Sequence, residues 1–192
     1  MHKISLLQNP AMFLATVLVA GIFITTVTIT DAYAAVDMFL KIDGVEGESI
    51  DSKHKGEIEL QSFSFGATQS GTSATGGGGG AGKVKIQDLM FTSKIDKASP
   101  KLFQACANGE HLKSAIITMR TAGKAQQEFV TYKLTDVLVR SYQIGGSSGD
   151  LPMEQVSLSF SKIEIEYKPI QKDGTLGAPI RSGWDVKANK AT

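Results

Sequence analysis

The chain has 192 residues, one cysteine and a formal net charge of +1. A near-neutral balance gives no electrostatic footing for nucleic acid or for an anionic membrane surface. Cys106 alone cannot form an internal disulfide, so the fold must rest on its core or on association with other copies.

The first 34 residues read as a leader. Lys3 stands in a short acid-free stretch, the apolar run "AMFLATVLVAGIFI" follows, and Ala32-Tyr33-Ala34 supplies small residues at −3 and −1 of a cleavage point. That combination is the pattern of a secretory signal peptide cut between Ala34 and Ala35. An uncleaved membrane anchor is the rival reading, weakened by the threonine-rich end of the run. Cleavage leaves residues 35–192, long enough for one domain with a real core. It removes Lys3 and Asp31 together, so the balance stays at +1.

From there the chain alternates with period two, the mark of half-buried strands. "VDMFLKI" (36–42) puts Val36, Met38, Leu40 and Ile42 on one face. "EIELQSFSF" (57–65) shifts phase near Gln61, which implies a bulge. "KVKIQDLMF" (83–91), "SAIITMR" (114–120), "EFVTYKLTDVLVRSY" (128–142) and "EQVSLSFSKIEIEY" (154–167) follow, then a short strand in 178–186. In 154–167 the apolar set changes phase, so a bulge is expected near Ser161 and Lys162. One segment is helical: "SPKLFQACANG" offers Ser99 as N-cap, Pro100 at the first position and Gly109 as the stop. Leu102, Phe103 and Cys106 are expected to pack from its apolar face. Cys106 reads as a buried thiol, with an intersubunit disulfide as the alternative. The sum is a mainly β, antiparallel barrel or sandwich of seven or more strands with one flanking helix.

Two connections interrupt the strands at unusual length or composition: 66–82 and "GGSSGD". The first, with eight glycines in 17 residues, includes Gly77-x-x-x-x-Gly82-Lys83, most of a phosphate-binding loop. That motif needs a hydroxyl after the lysine to hold Mg²⁺ and a helix behind the loop. Val84 and strand-like sequence stand there instead, so nucleotide binding is rejected in favour of a loop that a partner orders. Enzyme chemistry lacks a constellation as well. His54 and His111 sit in polar turns, no nucleophile elbow accompanies them, and they read as surface residues. Asp43, Glu46, Glu48 and Asp51 are close in sequence without a calcium-loop pattern and read as a solvated turn. Trp184, Tyr142 and Tyr167 would suit a sugar platform, though core packing is their commoner fate. No cofactor and no metal are expected.

The stretches "AVDMFLKIDGVEGES", "GGGGGAGKVKIQDLMFTSKIDKASPKLFQACANGEHL", "YKLTDVLVRSYQIGGSSGD" and "SGWDVKANK" resemble the Hcp (hemolysin-coregulated protein) family, whose members form the tube of bacterial type VI secretion systems. The resemblance spans nearly all of 35–192. It implies a tight β-barrel with a flanking helix, hexameric rings that stack into a hollow tube, and a lumen that carries small effector proteins. It implies no catalytic site, and as partners other copies, effectors and a spike- or sheath-type apparatus. By the same resemblance Gly66, Thr68, Gln69, Ser70, Gly76, Gly77, Gly78, Gly79, Gly80 and Gly82 belong to the extended loop that reaches the adjoining ring or subunit. The export leader departs from the family pattern and points to a variant that works outside the cytoplasm, secreted or, with an uncut leader, tethered to the membrane. An extracellular binding module holding a peptide, effector or glycan is the alternative.

Overall fold

The computed structural model describes residues 35–69, 83–123 and 125–192. Ten strands and one helix follow in the order β1 (Val36–Ile42), β2 (Ile58–Ser64), β3 (Ala67–Gln69), β4 (Val84–Ile86), β5 (Leu89–Lys94), α1 (Ser99–Asn108), β6 (His111–Thr121), β7 (Glu128–Gly145), β8 (Met153–Tyr167), β9 (Ile180–Asp185) and β10 (Lys190–Ala191). Six of them close on themselves, β8–β5–β2–β1–β6–β7 and back to β8, every pairing antiparallel. Closure removes most of the free strand edges that an open sheet would carry. Alternation turns Leu40, Ile58, Phe91, Ile117, Leu134 and Leu158 inward, all at 1 % exposure or less. Among the described residues no helix is long and apolar enough to cross a membrane.

Three irregularities shape the barrel. Gln61 bulges where its alternation slips, so β2 pairs with β5 as Leu60↔Ser93 before it and Ser62↔Thr92 after it. The expected single strand over 83–91 is broken between β4 and β5. There the Gln87 N–H donates to the Gly66 carbonyl at 2.9 Å, and the β2–β5 ladder kinks into the separate β3–β4 hairpin. An added Cβ on Gly66 would come 2.8 Å from the Gln87 side-chain oxygen, so a larger residue at the kink would push that side chain aside. The third lies at Ser161, where a phase change is expected. Here both strands shift together: Leu134 and Val137 on β7, three residues apart, are both fully buried. On β8, Phe160 packs against the core and Ile163 lies in it. Asp136 takes φ +54° and Ser161 donates to the Thr135 carbonyl at 3.1 Å, yet Thr135↔Lys162 and Val137↔Phe160 keep one register. Apart from these three, the β7–β8 ladder shifts register at Arg140, between Val139 and Ser141, and not at the expected Ser161–Lys162.

The helix differs from expectation at its start and on its face. Ser99 is the first helical residue and Ala98 is the cap, with no side-chain cap bond. The Ser99 hydroxyl instead accepts the Asp96 N–H at 3.1 Å. Gly109 ends the helix at φ +68°, its N–H bonded to the Ala105 carbonyl. Leu102 and Ala105, one turn apart, are wholly buried, while Phe103 is 59 % exposed and touches the edge of the Tyr142 ring. Packing through Leu102 and Ala105 rotates the buried face away from Phe103; Cys106 is half-buried against the core.

Candidate assembly interface

The lengths of neighbouring strands leave part of the barrel wall open-edged. β7 pairs with β6 only as far as Leu138↔His111, so residues 139–145 have β8 on one side and no strand on the other. β2 meets β1 only at Phe39↔Glu59 and Leu40↔Ile58, so residues 61–64 pair with β5 alone. Between these two free edges lies a four-stranded half-sheet in the order β2, β5, β8, β7. Its outward positions are Ser62, Ser64, Met90, Thr92, Gln155, Ser157, Ser141 and Gln143, with Lys94 at the end of β5 and the bulged Arg140, which reaches Asp88 at 4.0 Å, as the charges on its margin. The hydroxyls bond one another, Ser62 with Thr92 and Ser141 with Ser157, each at 2.7 Å.

Beyond the Asp136–Ser161 irregularity, β9 joins β8 along 162–167 and extends the wall. The β3–β4 hairpin stands against this ribbon. Between them runs an apolar groove of about 240 Å³ walled by Phe65, Ala67, Val84, Ile86, Ile165 and Trp184.

The predicted site residues separate into groups. Gly66 is at the kink and Thr68 and Gln69 are exposed on β3. Ser70, Gly76, Gly77, Gly78, Gly79, Gly80 and Gly82, like Ala34, lie outside the described residues. Ala35 is exposed, and its carbonyl accepts the Ala122 N–H at 2.6 Å. The three aromatic candidates for a sugar platform are not brought together: Tyr142 and Tyr167 lie at opposite ends of the β7–β8 ladder. The four acids of the first turn also disperse. Glu46 pairs with Lys97 at 3.1 Å, Glu48 accepts the Lys97 N–H, and Asp51 turns to Arg120.

His54 corrects the reading of both histidines as surface residues. It is 5 % exposed, stacked on Phe39 with ring centroids 4.2 Å apart and planes within 7°, and its Nδ1 lies 3.0 Å from Glu57. Arg120 covers the other side of the seam, 4.7 Å from the Phe39 centroid. Its Nη2 donates to Asp51 at 2.6 Å, and Nε and Nη2 both reach Asp37 at 3.1 Å. That guanidinium holds the Asp51 carboxyl down to about 2, and the two carboxylates raise Arg120 in return. This packed ion cluster is a structural clamp: Arg120 is 3 % exposed and engaged on two sides. His111 is exposed as expected and binds Asp136 at 2.7 Å. A second buried acid, Glu154, accepts the Ser93 hydroxyl at 3.0 Å. Nearby Tyr142 is pushed up by burial and then by Glu154. Among the described residues no group of three or more His, Cys, Asp or Glu could hold a metal.

A closed six-stranded barrel with one helix, a hairpin arm and an open-edged half-sheet rich in hydroxyl and amide side chains defines the class of protein. Comparison with known proteins then gives the family. Residues 39–167 match the family described as type VI secretion system effector, Hcp. The chain is 46 % identical to Protein hcp1 of Pseudomonas aeruginosa over 158 residues, 81 % of this chain and 98 % of that one. Hcp1 from Salmonella typhimurium has a similar structure, with a TM-score of 0.70, 41 % identity and coverage of 82 % of this chain and 99 % of that chain. A solved type six secretion system protein gives 0.78 at 34 % identity, covering 82 % of this chain and 100 % of that chain. The chain belongs to the Hcp family of type VI secretion proteins.

Proposed function

We propose that copies of this chain join edge to edge, residues 61–64 of one beside residues 139–145 of the next, and close into a hexameric ring. The observation that carries this reading is the half-sheet with two free edges on opposite sides. A surface that presents one edge to the left and another to the right makes a heterologous contact, and such contacts close into rings when the rotation allows. Strand pairing between copies would also cover the backbone groups that each copy leaves unpaired. Six is the ring number that the family resemblance supplies.

In such a ring the strands run along the axis and the polar outer face of the half-sheet, with Lys94 at its margin, lines the hole. Hydroxyls that already bond one another, beside the Gln143 and Gln155 amides, present passing effector proteins with little fixed charge to desolvate. The role is structural and non-enzymatic: rings stack into a tube, and the 66–82 connection reaches the adjoining ring or subunit. Export through the leader, with cleavage between Ala34 and Ala35, makes it a secreted member of the family, and a spike- or sheath-type apparatus its partner.

Negative-stain microscopy of the exported protein tests the reading. Rings are expected from the parent, and monomers of unchanged thermal stability from Ser62→Lys combined with Gln143→Lys, which sets like charges on both edges. A parent that stays monomeric at high concentration, or rings indifferent to the two lysines, would refute it.

A further inference from the structure

We propose that the leader is cut before β1 joins the barrel, and that a chain which folds first keeps it. This rests on the reading of a cleavage point between Ala34 and Ala35 and adds the order of events. Hydrolysis breaks the bond from the Ala34 carbonyl carbon to the Ala35 nitrogen, with water supplying a hydroxyl to the one and a hydrogen to the other. A protease takes the residues on both sides of that bond in extended form and hydrogen-bonds their backbone. Those on the Ala35 side must therefore be free to enter its cleft.

The fold ties them down. The carbonyl of Ala35, the first residue past the cut, already accepts the Ala122 N–H at 2.6 Å, and the exposure of its side chain does not release it. Val36 begins β1, which pairs with β6 at every residue from Val36↔Thr121 to Ile42↔Ala115. The Asp37 carboxylate accepts from Nε and Nη2 of Arg120, both at 3.1 Å. Arg120 is itself 3 % exposed and donates to Asp51 at 2.6 Å. Phe39 follows, buried against the His54 ring. A strand end held by backbone bonds alone frays at little cost. This one is pinned at Asp37 by charge-assisted bonds to a buried guanidinium, which are roughly twice as strong as neutral ones. Cleavage that waits on a transient opening runs at the population of the open form, so the pin sets the rate in a folded chain. The Arg120 cluster thereby fixes the time within which the leader can be removed.

The test gives the full 192-residue chain, in detergent micelles, to a purified signal peptidase and identifies the product by mass. Leu158→Asp, which puts a charge at a fully buried core position, serves as the unfolded reference once circular dichroism shows it unfolded. The reference is expected to be cut after Ala34, and the folded parent at least tenfold more slowly. Asp37→Ala, folded, should recover part of that difference. A Gly-Ser-Gly-Ser insertion between Ala35 and Val36 carries the cut away from the ladder and should recover all of it, at an unchanged melting temperature. The proposal is overturned if the folded parent is cut as fast as the reference. It is overturned too if the insertion variant stays as resistant as the parent, because the resistance would then lie outside β1. Asp37→Ala cut no faster than the parent removes Arg120 from this role. Those outcomes sink the order of events alone; a reference that is not cut after Ala34 sinks the leader reading and this inference with it.

Discussion

The β7–β8 ribbon is one continuous ladder with two different outer faces. Towards the β9 end it carries interleaved charges: Lys133 and Lys162 both reach Glu164, at 3.7 and 3.1 Å, and Arg181 and Lys168 both reach Glu166, at 2.6 and 3.1 Å. Towards the turn at 146–152 it carries Ser141, Gln143, Gln155 and Ser157, and a single charge, the bulged Arg140 that reaches Asp88 at 4.0 Å. The charged half is satisfied within its own subunit and suits water. The hydroxyl- and amide-rich half has the free edge of 139–145 and sits over the sealed core. Solvation separates the two: a partner strand laid beside the second half strips water from hydroxyls and amides, and beside the first it would have to strip it from ions.

The largest effect that would break this contrast is on stability. Leu158 in the sealed half is fully buried, and Leu158→Ala should cost about 2–5 kcal/mol. Ile165 in the charged half is only partly buried, and Ile165→Ala should cost less than half as much. Urea unfolding at one low protein concentration measures both. Equal losses would mean that the two halves form one core and that the division is only of surface. A smaller effect is expected at the boundary. Asp136 has φ +54°, a conformation that costs a branched side chain about 1–2 kcal/mol. Asp136→Val should lower the melting temperature, whereas Asp136→Asn, which loses the same charge but tolerates the left-handed region, should lower it clearly less. If the two variants melt together, the paired irregularity does not depend on that residue.

Most of the barrel was legible because its cause is local. The bounds of β1 coincide with the alternating run 36–42, and the slip at Gln61 shows in the order of apolar residues; the phase change at Ser161 shows there too, but the ladder keeps its register at that point and shifts instead at Arg140. What was not legible depends on what comes back from far along the chain. Phe39 lies on the face of β1 that alternation assigns to solvent, and is buried because the 45–57 connection returns and lays His54 on it. Arg120 reads as a solvated strand end until Asp51, 69 residues away, closes over it. Phe103 was misplaced because a short helix with apolar residues at adjacent positions allows more than one buried face. The free edges, which matter most for assembly, are invisible to periodicity. They follow from how far β6 and β1 run beside longer neighbours, which only the register reveals.

The smallest effect separates two carboxylates that titrate alike for different reasons. Asp136 and Asp51 are both held down to about 2 from an ordinary value of 3.8, Asp136 chiefly by Lys187 and then His111, Asp51 chiefly by Arg120. A depressed folded value means that each contributes stability above about pH 4, and that the contribution is lost as pH falls from there towards 2. Lys187 and His111 are 74 % and 64 % exposed, so mobile ions reach that cluster, whereas the Arg120 side chain is 4 % exposed. The screening length falls from about 10 Å at 0.1 M to about 3 Å at 1 M, which weakens exposed pairs while affecting buried pairs far less. Stability followed from pH 5 to pH 2 should therefore flatten modestly in Asp136→Asn at low salt, and raising the salt should erase that difference from the parent. In Asp51→Asn the flattening should survive added salt. Were salt to erase both differences alike, the Arg120 cluster would be as wet as the surface one, and the seam that packs Phe39 against His54 would not be the dry clamp its geometry describes.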